Sequence, residues 1–210
     1  MYLKLKKKNN NILLYILNIF LYLTVSITNG KTTEYHIYND NLNELNTINY
    51  NQNNDIIIYF PEKDYNLSLI DSFSFNINNN INYNITFAHN IKSKIKTTFN
   101  YKNYNYGKIK ININLQANTG KKVIIKFVNI RFTNFTTNDP DVFLISSYSD
   151  NDNYQLIFEN CSFENIPYNV YHSKYNCNKV TQDQPQVIFS GCSFLYVYII
   201  KIFVMYTKYI

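Results

Sequence analysis

The sequence predicts an all-β protein, specifically a right-handed parallel β-helix, and three observations favour this fold class. One apolar pattern occurs three times, in residues 123–137, 154–168 and 185–199, at a constant period of 31 residues (158 − 127 and 189 − 158). Within each copy, apolar residues come in pairs two positions apart, as side chains on one face of a β-strand do. The pairs are separated by odd steps, so both pairs can face inward only if the chain bends between them.

Residues that tolerate a bend lie at these odd steps. Asparagine and glycine adopt a positive φ more readily than other residues do. Each repeat is therefore predicted to be two short strands that meet at a corner, followed by a longer return through 138–153 or 167–184. The corner positions are Asn129, Asn160 and Gly191 for the first step, and Asn134, Asn165 and Tyr196 for the second.

The three repeats are expected to stack, because a single repeat cannot bury its apolar face and neighbours in register can. A right-handed path follows from the strong preference of parallel crossovers. An antiparallel β-sandwich with coincidental spacing is the alternative. The predicted inward columns are Phe127, Phe158 and Phe189, then Phe132, Phe163 and Phe194, with Cys161 above Cys192.

The F-x-x-C-x-F-x-N rhythm of residues 158–165 resembles the right-handed parallel β-helix repeats of the pectate-lyase-like superfamily. The string from Ile58 to Leu67 is similar to the first coil of such proteins, except that Glu62-Lys63-Asp64 stands where a glycine is usual. The resemblance covers roughly residues 55–200 and implies the fold. It implies no single activity, since the superfamily mixes polysaccharide lyases, glycosidases and adhesins.

Residues 1–30 are predicted to be a signal peptide. Lysines precede an apolar run at 12–27, and the small residues Thr28 and Gly30 offer cleavage sites. The alternative is a signal anchor in which residues 12–27 stay in the membrane. Both interpretations place the rest of the chain outside the cytosol, and the first predicts a secreted protein.

The remainder divides into a lead-in at 31–54 and a β-helix at 55–210. Asn41 followed by Glu44 fits a capping box, so 41–48 is predicted to form a short amphipathic helix that covers the first coil, with an irregular linker as the alternative. Residues 195–210 are apolar and are expected to form one or two strands of a next coil. We expect the chain to be a truncated member of a longer array, or to have its last edge covered by a partner.

Charge argues against nucleic-acid binding. The net charge is +6, but four lysines lie in residues 4–8, so the remainder carries 6 − 4 = +2. No basic patch with interleaved aromatic residues follows. The expected partners are extracellular glycans or other β-helix chains, with a membrane only if residues 12–27 are retained as an anchor.

Four asparagines are candidates for glycosylation in a secreted chain, because they start N-x-S/T sequons: Asn66, Asn84, Asn134 and Asn160. Cys161 and Cys192 are interpreted as small buried hydrophobic residues, with a disulfide between them as the alternative. Cys177 falls in a return loop. No spacing of cysteine and histidine indicates a metal site, and no cofactor is expected.

No catalytic residue is predicted. A glycosidase needs two carboxylates about 5–10 Å apart, whereas a corner separates Glu159 from Glu164, and the column neighbours of Arg131 are serines. The favoured function is a non-catalytic secreted or cell-surface module, either structural or adhesive and glycan-binding. Tyrosines expected to be exposed in loops at 101–106 and 168–175 could stack on sugars. The alternative is a divergent polysaccharide lyase or glycoside hydrolase.

Overall fold

The computed structural model describes residues 31–52, 54–78, 83–91, 95–113, 122–149, 154–167, 170–175, 186–197 and 202–206. The predicted signal segment at 1–30 and Cys177 lie outside these residues. Within the described ranges, no helix has the length and apolar character needed to cross a membrane.

The described residues form short β-strands and two 3₁₀ helices, at Asn39–Asn46 and Leu67–Leu69. In chain order the strands are β1 (Thr32–His36), β2 (Asp55–Tyr59), β3 (Asp64–Asn66), β4 (Ser72–Ile77), β5 (Tyr83–Ala88), β6 (Thr97–Tyr104), β7 (Lys108–Ile113), β8 (Val123–Val128), β9 (Ile130–Phe135), β10 (Ile145–Ser149), β11 (Tyr154–Glu159), β12 (Ser162–Glu164), β13 (Tyr171–Tyr175), β14 (Val187–Ser190), β15 (Ser193–Leu195) and β16 (Ile202–Tyr206).

The strands build three sheets, ordered β1-β2-β5-β8-β11-β14, β3-β6-β9-β12-β15 and β4-β7-β10-β13-β16. From β2 onward, each strand pairs in parallel with the strand three positions later in the chain. We call each set of three consecutive strands from β2 onward, one in each sheet, a rung. This topology is compatible with a parallel β-helix, and the parallel pairing contradicts the antiparallel sandwich.

Phenylalanine rings stack between rungs in the columns that the 31-residue period predicts. The ring centroids of Phe127 and Phe158 are 5.2 Å apart, and those of Phe158 and Phe189 are 4.8 Å apart, with the planes within 11°. The second column repeats this arrangement, with 5.0 Å between Phe132 and Phe163. Phe158 and Phe163 are fully buried, so the columns form the middle of the core.

The first column continues one rung further than the sequence pattern indicates. Phe87 lies 4.7 Å from Phe127 with the ring planes 10° apart. The 31-residue period did not reveal Phe87, because 127 − 87 is 40. Extra residues between β5 and β8 lengthen that rung without disturbing the register of Phe87 on Phe127.

The third and fourth rungs each have a third strand where the sequence predicted only a return. The return at 138–153 contains β10, and the return at 167–184 contains β13. The inward residues here include Ser147 and Ser173, which are buried and therefore break the apolar alternation that identifies a strand. Their hydroxyl groups form a buried network: Ser147 Oγ lies 2.6 Å from Tyr171 Oη and 3.1 Å from Ser173 Oγ, and Tyr154 Oη lies 3.0 Å from Ser173 Oγ.

The apolar C-terminal segment also contributes to a third strand. β16 pairs with β13, so it completes the rung that β14 and β15 begin. The expectation that 195–210 starts a next coil is therefore wrong. Because only two strands were predicted for each repeat, this segment was assigned to the next coil, whereas it is the third strand of the same rung.

The first 3₁₀ helix begins two residues earlier than predicted. The side-chain oxygen of Asn41 accepts a hydrogen bond from the backbone N–H of Tyr38 at 2.6 Å, and the helix starts at Asn39. The predicted capping box from Asn41 to Glu44 is therefore wrong. Leu42 and Leu45 are buried, so the helix packs its apolar side on the core.

Asparagine side chains of this N-terminal segment occupy the edge of the first rung. Asn46 accepts from the backbone N–H of Ser74 at 2.9 Å and donates to the carbonyl of Ser72 at 3.2 Å. A carboxamide has the same donor and acceptor as a peptide group, so the side chain replaces a neighbouring strand. This is one way to blunt an edge that would otherwise pair with another chain.

Two further asparagines form the same bracket, and β1 covers the remaining sheet. The backbone N–H of Ile37 donates to the carbonyl of Tyr59 at 2.9 Å. All three sheets thus have their first edge occupied by residues 32–51. The other brackets are Asn39 on Asp64 O and Asn66 N, at 2.8 and 3.0 Å, and Asn51 on Asn76 O and Asn78 N, at 3.2 and 2.6 Å.

Replacing Phe158 by alanine should lower the free energy of unfolding by about 3–5 kcal/mol, because it opens a cavity between two stacked rings. Urea unfolding measures the change. Ile157→Ala is the matched control on the same strand, since Ile157 faces outward and is only half-buried. Equal losses for the two variants would contradict the stacked core.

Replacing Asn46 by alanine should speed hydrogen exchange at the Ser74 amide, because its acceptor is removed. The loss of two hydrogen bonds should also lower stability by about 1–2 kcal/mol. Amide exchange followed by NMR measures both. The Asn78 amide, held by Asn51, is the internal control, and unchanged exchange at Ser74 would refute the bracket.

Candidate functional site

Two of the charged residues singled out in the sequence, Arg131 and Glu164, form an ion pair. Arg131 Nε lies 3.2 Å from Glu164 Oε1, although the residues that flank Arg131 in its column are Thr98 and Ser162. Glu164 lies two residues beyond Ser162, so the pair is diagonal between β9 and β12. The Arg131 side chain is 48% exposed. An exposed ion pair of this kind contributes at most about 1 kcal/mol, and each partner neutralises the other.

The described histidines, cysteines and acidic residues include no group of three or more that could hold a metal ion. His89 Nδ1 lies 2.8 Å from the carbonyl oxygen of Phe60. His172 stacks on Phe143 with ring centroids 4.8 Å apart. These two rings have structural contacts of their own.

Cys161 and Cys192 are free thiols in one column. Each Sγ lies 3.3 Å from the carbonyl oxygen of a phenylalanine in the preceding rung, Phe127 or Phe158. Burial raises the pKa of the Cys161 thiol, which stays protonated. A hydrogen bond from Cys161 lowers the pKa of the half-buried Cys192 thiol to about 7.

The loop tyrosines divide into buried and exposed residues. Tyr101 and Tyr171 are fully buried, so the expectation that they are exposed is wrong. Residues 97–104 form β6, and the ring of Tyr101 packs edge-on against Phe135 at 5.5 Å. Tyr104 and Tyr106 are exposed and lie 6.1 Å apart.

One open cleft of about 350 Å³ lies beside the second sheet, where successive rungs turn toward the third. Its volume is within the range of small-molecule sites, about 300–1,000 Å³. Its wall is tied together by Thr136, whose hydroxyl donates to the carbonyl of Asn103 at 2.7 Å. The lining residues are Asn103, Thr136, Asn165, Pro167 and Tyr196.

Three of these residues belong to one corner column with a left-handed backbone. Asn103, Asn134, Asn165 and Tyr196 have φ values of +63°, +61°, +54° and +54°. Asparagine tolerates this conformation, whereas a bulky aromatic residue there is an outlier that costs about 1–2 kcal/mol. Tyr196 is also 74% exposed, so no buried packing of its ring explains its place in the column.

The asparagines of this corner form a hydrogen-bonded ladder that leads to the cleft. Asn134 Nδ2 donates to Asn100 Oδ1 at 3.1 Å, and Asn165 Nδ2 donates to Asn134 Oδ1 at 3.2 Å. Each amide orients the next, because the donated hydrogen fixes which way the plane faces. The ladder therefore leaves Asn165 at the cleft with its amide nitrogen already engaged.

The sequence carried a signal for this cleft that the apolar pattern did not use. The differences 134 − 103, 165 − 134 and 196 − 165 are all 31, and so is 167 − 136. Extending the period to polar corner positions would have placed Asn103 in the same column. It would not have revealed a cavity, because the two-residue register shift in β6 that displaces Tyr104 outward is a local irregularity.

Alkylation of Cys192 by iodoacetamide should rise with pH and level off above about 7, since the thiolate reacts and its pKa is lowered to about 7. Cys161, fully buried, should stay unmodified. Peptide mass spectrometry between pH 5 and 9 measures both rates. In urea, both thiols should follow an ordinary profile with a midpoint near roughly 8.5. The same profile before and after unfolding would contradict the coupling of the two thiols.

Comparison of this chain with protein-family models, with curated proteins and with solved structures found no match.

Proposed function

We propose that this chain is a non-catalytic, secreted or cell-surface right-handed parallel β-helix that binds carbohydrate in the cleft at Tyr196. The three parallel sheets support the β-helix, and the preference of parallel crossovers supports its hand. The resemblance of residues 158–165 to pectate-lyase-like repeats supports a relation to that superfamily, whose members include polysaccharide-active proteins.

The observation that carries the binding proposal is the backbone and exposure of Tyr196. Its three column neighbours are asparagines, the residue type suited to φ near +54°. A tyrosine there adds strain and presents a ring to solvent, and such outliers cluster at ligand-binding sites. Ligand binding explains why a strained, exposed ring is kept at this position, whereas packing does not.

The other lining residues complete a surface suited to a sugar. An aromatic ring offers a flat face to the C–H groups of a pyranose, and the phenol hydroxyl is a polar handle. The Asn165 and Asn103 amides and the Thr136 hydroxyl line the same cleft. These groups hydrogen-bond hydroxyls of either donor or acceptor character.

The chemistry of the cleft favours binding over hydrolysis. None of its five lining residues carries a carboxylate. Glycoside hydrolysis usually needs two carboxylates about 5–10 Å apart, one of them as acid. A neutral cleft also favours neutral sugars, because nothing in its wall compensates the charge of a uronate.

Replacing Tyr196 by asparagine should abolish carbohydrate binding and leave the fold at least as stable. Asparagine suits the left-handed backbone, so the free energy of unfolding should rise by about 1 kcal/mol. Binding to an array of immobilised oligosaccharides, followed by calorimetry on any neutral sugar retained, measures function. Urea unfolding measures stability on the same samples.

Tyr148→Asn is the matched control, because Tyr148 is exposed on the third sheet and does not line the cleft. It should keep wild-type binding. Retained binding by Tyr196→Asn, or an array on which the wild-type protein binds no sugar, would overturn the proposal.

A further inference from the structure

The four sequon asparagines differ in how the structure uses their side-chain nitrogen, which is the atom that an N-linked glycan modifies. Asn84 Nδ2 donates to Asp55 Oδ2 at 3.1 Å, while the backbone N–H of Asn84 donates to Asp55 Oδ1 at 2.8 Å. A sugar on this nitrogen would occupy the space of the Asp55 carboxylate. Asn84 thus serves to hold β5 against β2.

Both the nitrogen and the oxygen of the Asn134 amide also form hydrogen bonds. Its nitrogen donates to Asn100 and its oxygen accepts from Asn165, so it is the middle member of the ladder beside the cleft. It is also only half-exposed. A glycan there would break the ladder in both directions.

Asn160 is the opposite case. It is exposed at the corner between β11 and β12, and its backbone N–H is already bonded to the carbonyl of Ser190 at 2.8 Å. Its side chain lies over the next corner residue, Gly191, where a Cβ would come 2.5 Å from Asn160 Oδ1. Gly191 has no side chain and so leaves room for this oxygen, and no hydrogen bond among the described residues engages the side-chain nitrogen of Asn160.

The hydroxyl of the same sequon has no structural use. Ser162 is 2% exposed, and its Oγ has no hydrogen-bond partner among the described residues. A buried hydroxyl without a partner destabilises the fold relative to an apolar group of the same size. By contrast, the sequon hydroxyls of Ser68 and Thr136 donate to Asn66 Oδ1 and Asn103 O.

A serine at 162 is therefore unfavourable to the fold but is required for recognition of Asn160 as an acceptor. We propose that Asn160 carries an N-linked glycan in the folded protein, and that Asn84 and Asn134 remain unmodified. The proposal depends on the extracellular location in the proposed function. The step forms a bond from Nδ2 to C1 of an oligosaccharide, breaks the bond from C1 to the pyrophosphate of a lipid-linked donor, and releases a proton.

The test is to express the full chain in a eukaryotic secretory host, with and without an added cleavable leader. Folded secreted protein is treated with peptide N-glycosidase in heavy-oxygen water, which marks each formerly glycosylated asparagine as a labelled aspartate. Mass spectrometry should find the label at Asn160 and not at Asn84 or Asn134. Acceptors are modified before folding, so any glycan on Asn84 or Asn134 should be found only in the aggregated, cell-retained fraction.

The clean variant is Ser162→Ala, which removes the sequon and leaves Asn160 itself in place. It should lose the label at 160 and give an unglycosylated, secreted protein whose unfolding midpoint in urea is not below that of enzymatically deglycosylated wild type. A lower midpoint would show that the Ser162 hydroxyl is structural and would remove this support.

Two outcomes distinguish a failure of the acceptor assignment at Asn160 from a failure of the proposed extracellular location. Label at Asn160 only when the leader is added supports the acceptor and contradicts residues 1–30 as the signal. An unlabelled Asn160 in leader-driven, folded protein, or occupancy at Asn84 or Asn134 equal to it, overturns the acceptor assignment.

Discussion

Face-to-face contact between phenylalanine rings of successive rungs fixes the register on which the rest of the structure depends. In the first sheet Phe87, Phe127, Phe158 and Phe189 stack at 4.7–5.2 Å between centroids, with planes 9–11° apart. A slip of one residue in any strand would turn its rings to solvent, because side chains alternate between faces. Rungs can therefore vary in loop length, as the second does, but not in the position of their inward residues.

Keeping that register forces the corner positions into a left-handed backbone. In the third, fourth and fifth rungs the parity of the inward pairs requires a bend at the same place, and the bends are at φ between +52° and +62° for Asn129, Asn160 and Gly191. Asparagine tolerates this backbone conformation, and its side-chain carboxamide can then form hydrogen bonds of its own. The ladder through Asn134 uses that carboxamide between rungs, while the exception at Tyr196 exchanges it for an exposed ring.

Features that depend on the period of apolar residues could be predicted from the sequence. Strands whose inward residues are polar could not. The stacking of Phe127 on Phe158 and the bend at Asn129 follow from spacing alone. The strand at 145–149 could not be predicted, because its inward Ser147 is stabilised by hydroxyl groups of Tyr171 and Ser173 from another rung. The cleft depends likewise on where Thr136 and Tyr196 meet in space, which no local pattern encodes.

Among the described residues, asparagine side chains differ in role, and the hydrogen bonds of the amide decide which role each has. In the N-terminal brackets both the nitrogen and the oxygen bind backbone groups, as Asn46 does on β4. In the ladder, asparagine amides hydrogen-bond to one another. At Asn160 the backbone N–H is bonded to the Ser190 carbonyl, and the side chain is exposed and lies against Gly191 without a hydrogen bond among the described residues. A composition rich in asparagine therefore does not make its sequons equivalent, since only an amide that the fold does not use can be modified without loss of structure.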